Sequence, residues 1–495
     1  MFRIKGNLLV MQISSHYGYA ILLCALTSFP VVAQDTTAYR LAFKAVENQT
    51  KGYPLLKLAT STIGHRLTGS ENGKKAEEFI FNTLKTLGIK QVEYDTFEVK
   101  TWQRLQCKLD VVPYRSDNYT KIRAVSLANA ASDSALYEIM DVGDGLAQDY
   151  AHAPQVSGKC ALINLGLNRK DSGRFNLHRA EKIALAKMHG AKAILMVHPS
   201  LSDKLLTGTA SLTGEQIPIP AACISGNDGA EIRKWMKHER LMADFVVKNK
   251  TTKGQARNVI ARFTAEIPTS ETIVFCAHLD SWDLATGATD NGLGAFTLLD
   301  VAVAMQQIAP KLQRNVWIIW TMGEEQGLLG STHVVEGLKE TGELLHIKAV
   351  INLDMTANPT GINTTDWPKA AKWFTLRMEE IKKFIPQFEG RQTNLPGLHS
   401  DHQPFLMEGI PNFSAISDLP TAVYECYHAD CDHINLIDAQ WMHRSAYFHS
   451  LLGSALGTAK KLPFKRMKAP KLKKWLQNHG LKEKLKISGQ WRWEK

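Results

Sequence analysis

The sequence predicts an α/β fold: a mixed, mainly parallel sheet sandwiched by helices, with a smaller α/β or β-rich domain inserted into it. Three observations carry this reading. From residue 255 onward, short β-branched apolar runs (272–277, 316–321, 349–353) alternate with helix-like stretches (292–308, 328–340). Runs that are apolar throughout suit strands covered on both faces, and their alternation with helices argues for parallel crossovers. Residues 113–252 differ in character and read as a unit with a small core of its own. Imidazoles and carboxylates then cluster just after the apolar runs, where sheets of this kind place their sites.

Taken in chain order, Arg3 and Lys5 precede an apolar stretch, 19–33, interrupted by Thr27, Ser28 and Pro30. Val31-Val32-Ala33 supplies small residues before Gln34-Asp35. This is the pattern of a signal peptide over 1–33, with Met11 as an alternative start. The expected destination is the periplasm or the medium, an oxidising setting. Six of the 7 cysteines would remain, and only Cys426 and Cys431 are close in sequence. Both a disulfide and free thiols stay open for them.

Residues 35–90 read as helical, with apolar positions at helical spacing over 73–87 and a stop at Gly88. Residues 92–99 alternate like a strand. Within the insert, 161–165 and 193–197 read as strands flanking a helix over 177–189. A turn-rich stretch, 199–220, closes on Ile217-Pro218-Ile219-Pro220. The expected division is a first catalytic segment 34–112, the insert 113–252, a second catalytic segment 253–459 and a basic tail 460–495. No apolar run in the body is expected to span a membrane.

Composition narrows the function classes. A chain of 495 residues with 44% hydrophobic and 22% charged residues is neither disordered, collagenous, coiled-coil nor a disulfide miniprotein. The net charge of +11 is local: residues 460–495 hold 13 Lys and Arg against 2 Asp and Glu, and residues 34–459 sum to −2. Nucleic-acid binding is therefore not expected. The tail is either a solvated or capping helix or a contact for an anionic surface.

The chemistry follows the predicted strands. The first runs into Cys276-Ala277-His278-Leu279-Asp280-Ser281-Trp282-Asp283, followed by Asp290-Asn291-Gly292. The second runs into Gly323-Glu324-Glu325, the third into Leu353-Asp354. Glu425-Cys426-Tyr427-His428-Ala429-Asp430-Cys431-Asp432-His433 comes late in the chain. Any one of these is weak alone; together they form a donor set for metal. Zinc takes His nitrogen and carboxylate oxygen, and a catalytic site leaves a position open for water. Five ligands serve two ions if one carboxylate bridges, and a hydroxide held between the ions could attack a polarised carbonyl. A further carboxylate beside them would act as general base.

These motifs resemble the co-catalytic di-zinc aminopeptidase and carboxypeptidase family, most closely its plasma glutamate carboxypeptidase subgroup. The resemblance rests on His278 to Asp283 with Gly287, Asp290 and Gly292, on Gly64-His65-Arg66-Leu67-Thr68-Gly69-Ser70, and on Ile219-Pro220-Ala221-Ala222-Cys223-Ile224. It covers most of 35–459 and implies a protease-associated-type insert. It also implies that His278 and Asp354 bind one zinc, Glu325 and His428 the other, and that Asp290 bridges them. Cobalt or manganese could substitute. Glu324 would be the general base and acid, Asp280 would orient His278, and Asp432 resembles the family acid four residues after the histidine. Tyr427 would either steady the oxyanion or pack beneath the loop. Asn291 stands where many relatives carry a second Asp, and His433 where many carry Thr. Asp401 and His402 would either shape the pocket or cap and pack. Arg66 and Ser70 are expected to be structural.

The resemblance implies an exported zinc metallo-exopeptidase acting on dipeptides or short peptides with a free N-terminus. The alternatives are an aminopeptidase of longer peptides, a glutaminyl cyclase-like acyltransferase, or a non-catalytic binding protein. Relatives often form homodimers, so a homodimer is an open expectation.

Overall fold

In the computed structural model, which describes residues 36–167 and 175–493, the buried centre of the sheet is the strand Thr272–His278. The expected signal peptide, 1–33, lies outside the described residues. Thr272–His278 pairs in parallel with Asn315–Thr321 on one side and Ile347–Asn352 on the other. Asn412–Ser417 follows in parallel, then Pro359–Asn363 antiparallel. Alternation along the central strand feeds two cores, as a period of two requires. Ile273, Phe275 and Ala277 face one core, beneath the helices Leu293–Ile308, Thr37–Gln49 and Ala439–Thr458. Val274 and Cys276 face the other, beneath Leu329–Glu340. The sheet is thus mixed, mainly parallel around the centre and sandwiched by helices.

The stretch Ala288–Lys311 is long and apolar enough to cross a membrane, which the sequence reading did not anticipate. Its most apolar window is 83% buried inside the protein, so it serves as the core helix of the sandwich.

A two-stranded ribbon joins the catalytic sheet to the insert. Val92–Pro113 pairs antiparallel with Leu241–Phe263 from one end to the other, with one register shift near Arg104. At about 3.3 Å per residue such a ribbon runs roughly 70 Å. The distal end of Leu241–Phe263 pairs with Asn315–Thr321, and its proximal end pairs with Asp133–Gly143. The sheet then continues through Cys160–Asn164, Ala193–Val197 and Ala221–Ile224, all in parallel. Boundaries at 112/113 and 252/253 therefore fall inside continuous strands. The helices Arg179–Met188 and Gly226–Trp235 cover opposite faces of the insert's sheet, over two separate apolar clusters.

The tail is folded. Ala469–Asn478 and Lys482–Ile487 are short helices whose Leu472, Trp475, Leu476 and Leu485 are buried against the main core. Ile487 packs instead on the insert's cluster, so the tail touches both parts of the molecule. Its lysines lie mostly on the outer face, while Arg466 and Arg492 pair with Glu408.

One buried acid ties the amino-terminal helices to this core. Asp300 accepts from the backbone amides of Lys51 at 2.7 Å and Gly52 at 3.2 Å. Burial pushes its pKa up to about 7. A raised carboxyl pKa favours folding at low pH, and that contribution is lost as pH rises from about 4 through 7. Urea unfolding from pH 4 to 7.5 should show the stability advantage of wild type over Asp300→Asn shrinking across this window, by on the order of 3 kcal/mol.

Candidate metal centre

Six ionisable side chains meet at the carboxyl edge of the parallel strands. His278 ends the central strand and is 1% exposed. Glu324 and Glu325 follow Asn315–Thr321, and Asp354 follows Ile347–Asn352. Asp290 sits just ahead of the core helix, and the Asp290–Asn291 peptide is cis. His428 comes from the late loop, with φ at +56°, inside a disulfide between Cys426 and Cys431. The pairing that the sequence left open is thus a disulfide. It closes the short loop that carries Tyr427 and His428.

Asp290 divides its carboxylate between the two imidazoles. Oδ1 lies 3.2 Å from His278 Nε2, and Oδ2 lies 2.9 Å from His428 Nε2. Asp354 Oδ1 is 3.4 Å from His278 Nε2, and Glu325 Oε2 is 3.0 Å from His428 Nε2. His278 with Glu324 and Asp354, and His278 with Asp290 and Glu325, each bring donor atoms within 4.8 Å of one another. Both imidazoles turn Nδ1 toward a backbone carbonyl: His278 toward Asp280 O at 3.2 Å, His428 toward Thr207 O at 3.3 Å. An Nδ1–H donated to those carbonyls leaves the Nε2 lone pairs facing the carboxylates, the tautomer a metal ligand needs. Glu325 Oε1 is buried without a hydrogen-bond partner. The donor set therefore fits one or two cations.

The electrostatics agree with this geometry. Burial resists charging His278, yet Glu324 and Asp354 outweigh it and hold its pKa well above the ordinary value. Burial likewise opposes a charged His428, and Glu325 and Asp290 overcome it. Asp290 is buried, but hydrogen bonds from both imidazoles keep its pKa below the usual range. Burial drives Glu324 the other way, well above the usual range, with Asp354 and Glu325 adding repulsion. Glu324 thus lines the pocket as a carboxyl whose pKa is raised.

Supporting contacts hold the ligand loops. Arg66 is fully buried and donates to Leu279 O, Thr286 O and Gly287 O at 2.6, 2.7 and 2.8 Å. It staples the loop between His278 and Asp290, and burial lowers its pKa to about 10. Ser70 accepts from Gly73 N as the cap of the helix Glu71–Thr86. Asp432 accepts from the amides of Thr289 and Asp290 at 2.7 and 3.1 Å, fixing Asp290 from behind. Asp280 reaches His278 chiefly through its carbonyl. Its carboxylate accepts instead from the amides of Glu324 and Glu325, each at 3.3 Å. Asn291 donates to Leu353 O and accepts from Gly294 N and Met355 N, joining the Asp290 loop to the Asp354 loop.

Several contributors were not singled out by sequence reasoning. Trp282 donates to Glu325 Oε2 at 2.6 Å. In the stretch 398–405 it is Ser400 that reaches the site, donating to Asp354 Oδ2 at 2.7 Å. Asp401 bonds Thr321 behind the sheet, and His402 approaches Gly397 O. The insert takes part directly. Thr207 N donates to His428 O at 2.9 Å, and Leu206 bridges Ala429. Arg104, on the ribbon, pairs with Asp283 at 2.8 Å and donates to Thr207 Oγ1 at 2.9 Å.

A small pocket of about 70 Å³, open to solvent, lies over Glu324, Glu325 and His428. The insert contributes His178, Arg179, Thr209 and Ser211, and the tail contributes Gln490, whose Oε1 accepts from Gln403 at 2.7 Å. Tyr427 lines the same pocket, its ring stacked 3.9 Å from that of His428. Burial raises its pKa well above the ordinary value, so the phenol keeps its proton.

Comparison with known proteins accords with this arrangement. Residues 258–451 match peptidase family M28, and residues 123–232 match the PA domain. Carboxypeptidase Q of Bos taurus is 24% identical over 433 residues, covering 85% of this chain and 89% of the relative. Aminopeptidase YwaD of Bacillus subtilis is 26% identical over 421 residues, covering 82% and 83%. A crystal structure of a peptidase M28 precursor from Shewanella amazonensis superposes with a TM-score of 0.71. It is 21% identical, over 87% of this chain and 98% of that one.

The contacts of Asp432 predict a measurable effect. Asp432→Ala removes the acceptor behind Thr289 and Asp290 without touching the pocket. Metal affinity, measured by competition with a chelator, should fall about 10–100-fold.

Proposed function

Since this chain is a peptidase of family M28 with an inserted PA domain, we propose that it is an exported zinc exopeptidase of dipeptides and short peptides, using two metal ions. The observation that carries the two-metal reading is the split carboxylate of Asp290, one oxygen to each imidazole. His278, Asp354 and Asp290 would hold one ion; His428, Glu325 and Asp290 would hold the other. When bound, two zinc ions would supply Lewis acidity toward water and the scissile carbonyl. Zinc is the metal named for a structurally similar aminopeptidase of Bacillus subtilis.

The side chains supply the rest. Glu324 takes a proton from the attacking water and delivers it to the departing amine, work suited to a carboxyl whose pKa is raised. Tyr427, a neutral phenol at the pocket wall, donates to the oxyanion that develops on the attacked carbonyl. The backbone carbonyls of Asp280 and Thr207 fix the tautomers of His278 and His428.

Short substrates suit a pocket bounded by the insert on one side and by the Gln403–Gln490 contact on another. The insert, 113–252, would then serve as wall and brace rather than as a separate module. The leader-like pattern at 1–33 and the Cys426–Cys431 disulfide both suit an oxidising destination, the periplasm or the medium.

Mass-spectrometric hydrolysis of free dipeptides, longer peptides, and their N-acetylated and C-amidated forms tests this. Cleavage confined to short substrates with a free amine is the expected result. Stepwise trimming of long chains would replace it with a general aminopeptidase, and no turnover with metal bound would sink the peptidase reading for this site. Glu324→Gln should keep the metal content of wild type and lose about 10²–10⁴-fold in kcat.

A further inference from the structure

Gln490 belongs to the basic tail, yet it lines the pocket over Glu324, beside His399, Gln403 and Tyr427. The backbone puts it there. The helix Lys482–Ile487 ends at Gly489, whose φ is +72°. Gly489 N donates to Lys486 O at 3.0 Å, and Gln490 N donates to Leu485 O at 2.8 Å. A left-handed glycine closes a helix in this way and turns the chain aside. The residue after the turn, Trp491, is buried in the main core, and Ile487 before it packs on the insert's cluster. The turn that presents Gln490 is therefore held by both parts of the molecule.

The side chain is held as well. His399 N donates to Gln403 Oε1 at 2.6 Å, which turns the Gln403 amide so that its Nε2 donates to Gln490 Oε1 at 2.7 Å. Ser488 Oγ donates to the same oxygen at 3.2 Å. Gln403 is 2% exposed, so the middle of this chain of donors is shielded from competing water. A glutamine on a surface samples many rotamers; one whose oxygen is bonded twice stands as a fixed wall. The opposite wall is braced too. Thr207 N donates to His428 O and Ala128 N to Gly208 O, each at 2.9 Å, which fixes the insert's turn ahead of Thr209 and Ser211.

Glu324 delivers a proton to the departing amine, so the leaving residue lies in the pocket over Glu324, which Gln490 lines. We propose that Gln490 is a specificity-determining residue: the tail is the outer stop of the pocket and limits how far a peptide extends beyond the scissile bond. This rests on the peptidase reading above. It assigns the stop to a segment that lies beyond both family matches, residues 123–232 and 258–451. The pocket holds only about 70 Å³. A residue added beyond the leaving one would have to displace Gln490 and break both hydrogen bonds to its oxygen.

The test compares hydrolysis of the first bond in alanyl-leucine and in alanyl-leucyl-alanine by the zinc-loaded full chain. Wild type should favour the dipeptide by about 100-fold in kcat/KM, mostly through KM. Gln490→Ala should bring the two peptides within about 10-fold of each other by gaining the tripeptide. Gln490→Met keeps the bulk and loses both hydrogen bonds, and its ratio should fall between. A wild-type ratio near one would overturn the proposal. So would a ratio that Gln490→Ala leaves intact while slowing both peptides equally, which is what a merely structural tail predicts. Calorimetric binding of both peptides to Glu324→Gln, with and without Gln490→Ala, reads the same preference without turnover. A preference there that Gln490→Ala removes, with no hydrolysis by the wild type, would uphold the stop and discard the peptidase reading. Equal binding of both peptides to Glu324→Gln would discard the stop alone.

Discussion

Two imidazoles and four carboxylates share one buried edge of a sheet, and the rest of the molecule is arranged around that concentration of charge. Like charges taken out of water repel strongly, and each lost hydration shell must be replaced. Arg66, fully buried behind the site, is spent on three backbone carbonyls rather than on an acid. Asp280 and Asp432, two further acids, are turned away to accept backbone amides. Asp290, Glu324, Glu325 and Asp354 are left facing His278 and His428. That balance calls for added positive charge, as protons on the imidazoles or as metal in their place.

This constraint explains why the supporting contacts are mostly side chain to backbone. A ligand whose loop could relax would move away from its neighbours. Arg66 pins the loop from Leu279 to Gly287, Asp432 pins Thr289 and Asp290, and Asn291 joins that loop to Leu353 and Met355. The insert closes the last gap through Thr207, which holds both the backbone and the ring of His428. An insert on a loose hinge could not do this. The ribbon of Val92–Pro113 and Leu241–Phe263 makes the insert's strands continue the catalytic sheet, and Arg104 on that ribbon ties Asp283 to Thr207.

The fold was legible where burial is uniform. The runs at 272–277, 316–321 and 349–353 are strands because apolar residues on both faces leave little alternative. The far half of the ribbon was not legible. Leu241 to Val247 alternates in burial, but Lys248 to Gly254 is largely exposed, so the middle carries no apolar period to read. His278, Asp290, Glu324, Glu325, Asp354 and His428 could be assembled from sequence because each follows a predicted strand or stands in a recognisable motif. Thr207, Gly208 and Arg179 could not. They lie in a turn-rich stretch and at a helix start of the insert, and only the folded chain shows that Thr207 meets His428, 221 residues away, and that Arg179 lines the same pocket.

The basic tail shows the same limit from the other direction. Thirteen cations in 36 residues look like an address for an anionic surface. In the folded chain their apolar neighbours decide the outcome: Leu472, Trp475, Leu476 and Leu485 drive two short helices onto the body. Those helices carry Gln490 to the wall of the pocket over Glu324, Glu325 and His428, and Ile487 to the insert's core. One pocket is thus enclosed by three parts of the chain distant in sequence. Their contributions differ in chemistry: acidic and imidazole groups from the catalytic sheet and its loops, His178, Arg179, Thr209 and Ser211 from the insert, and a neutral amide from the tail. A site enclosed this way draws its walls from segments that only the folded chain brings together, so its shape depends on the catalytic sheet, the insert and the tail holding their places at once.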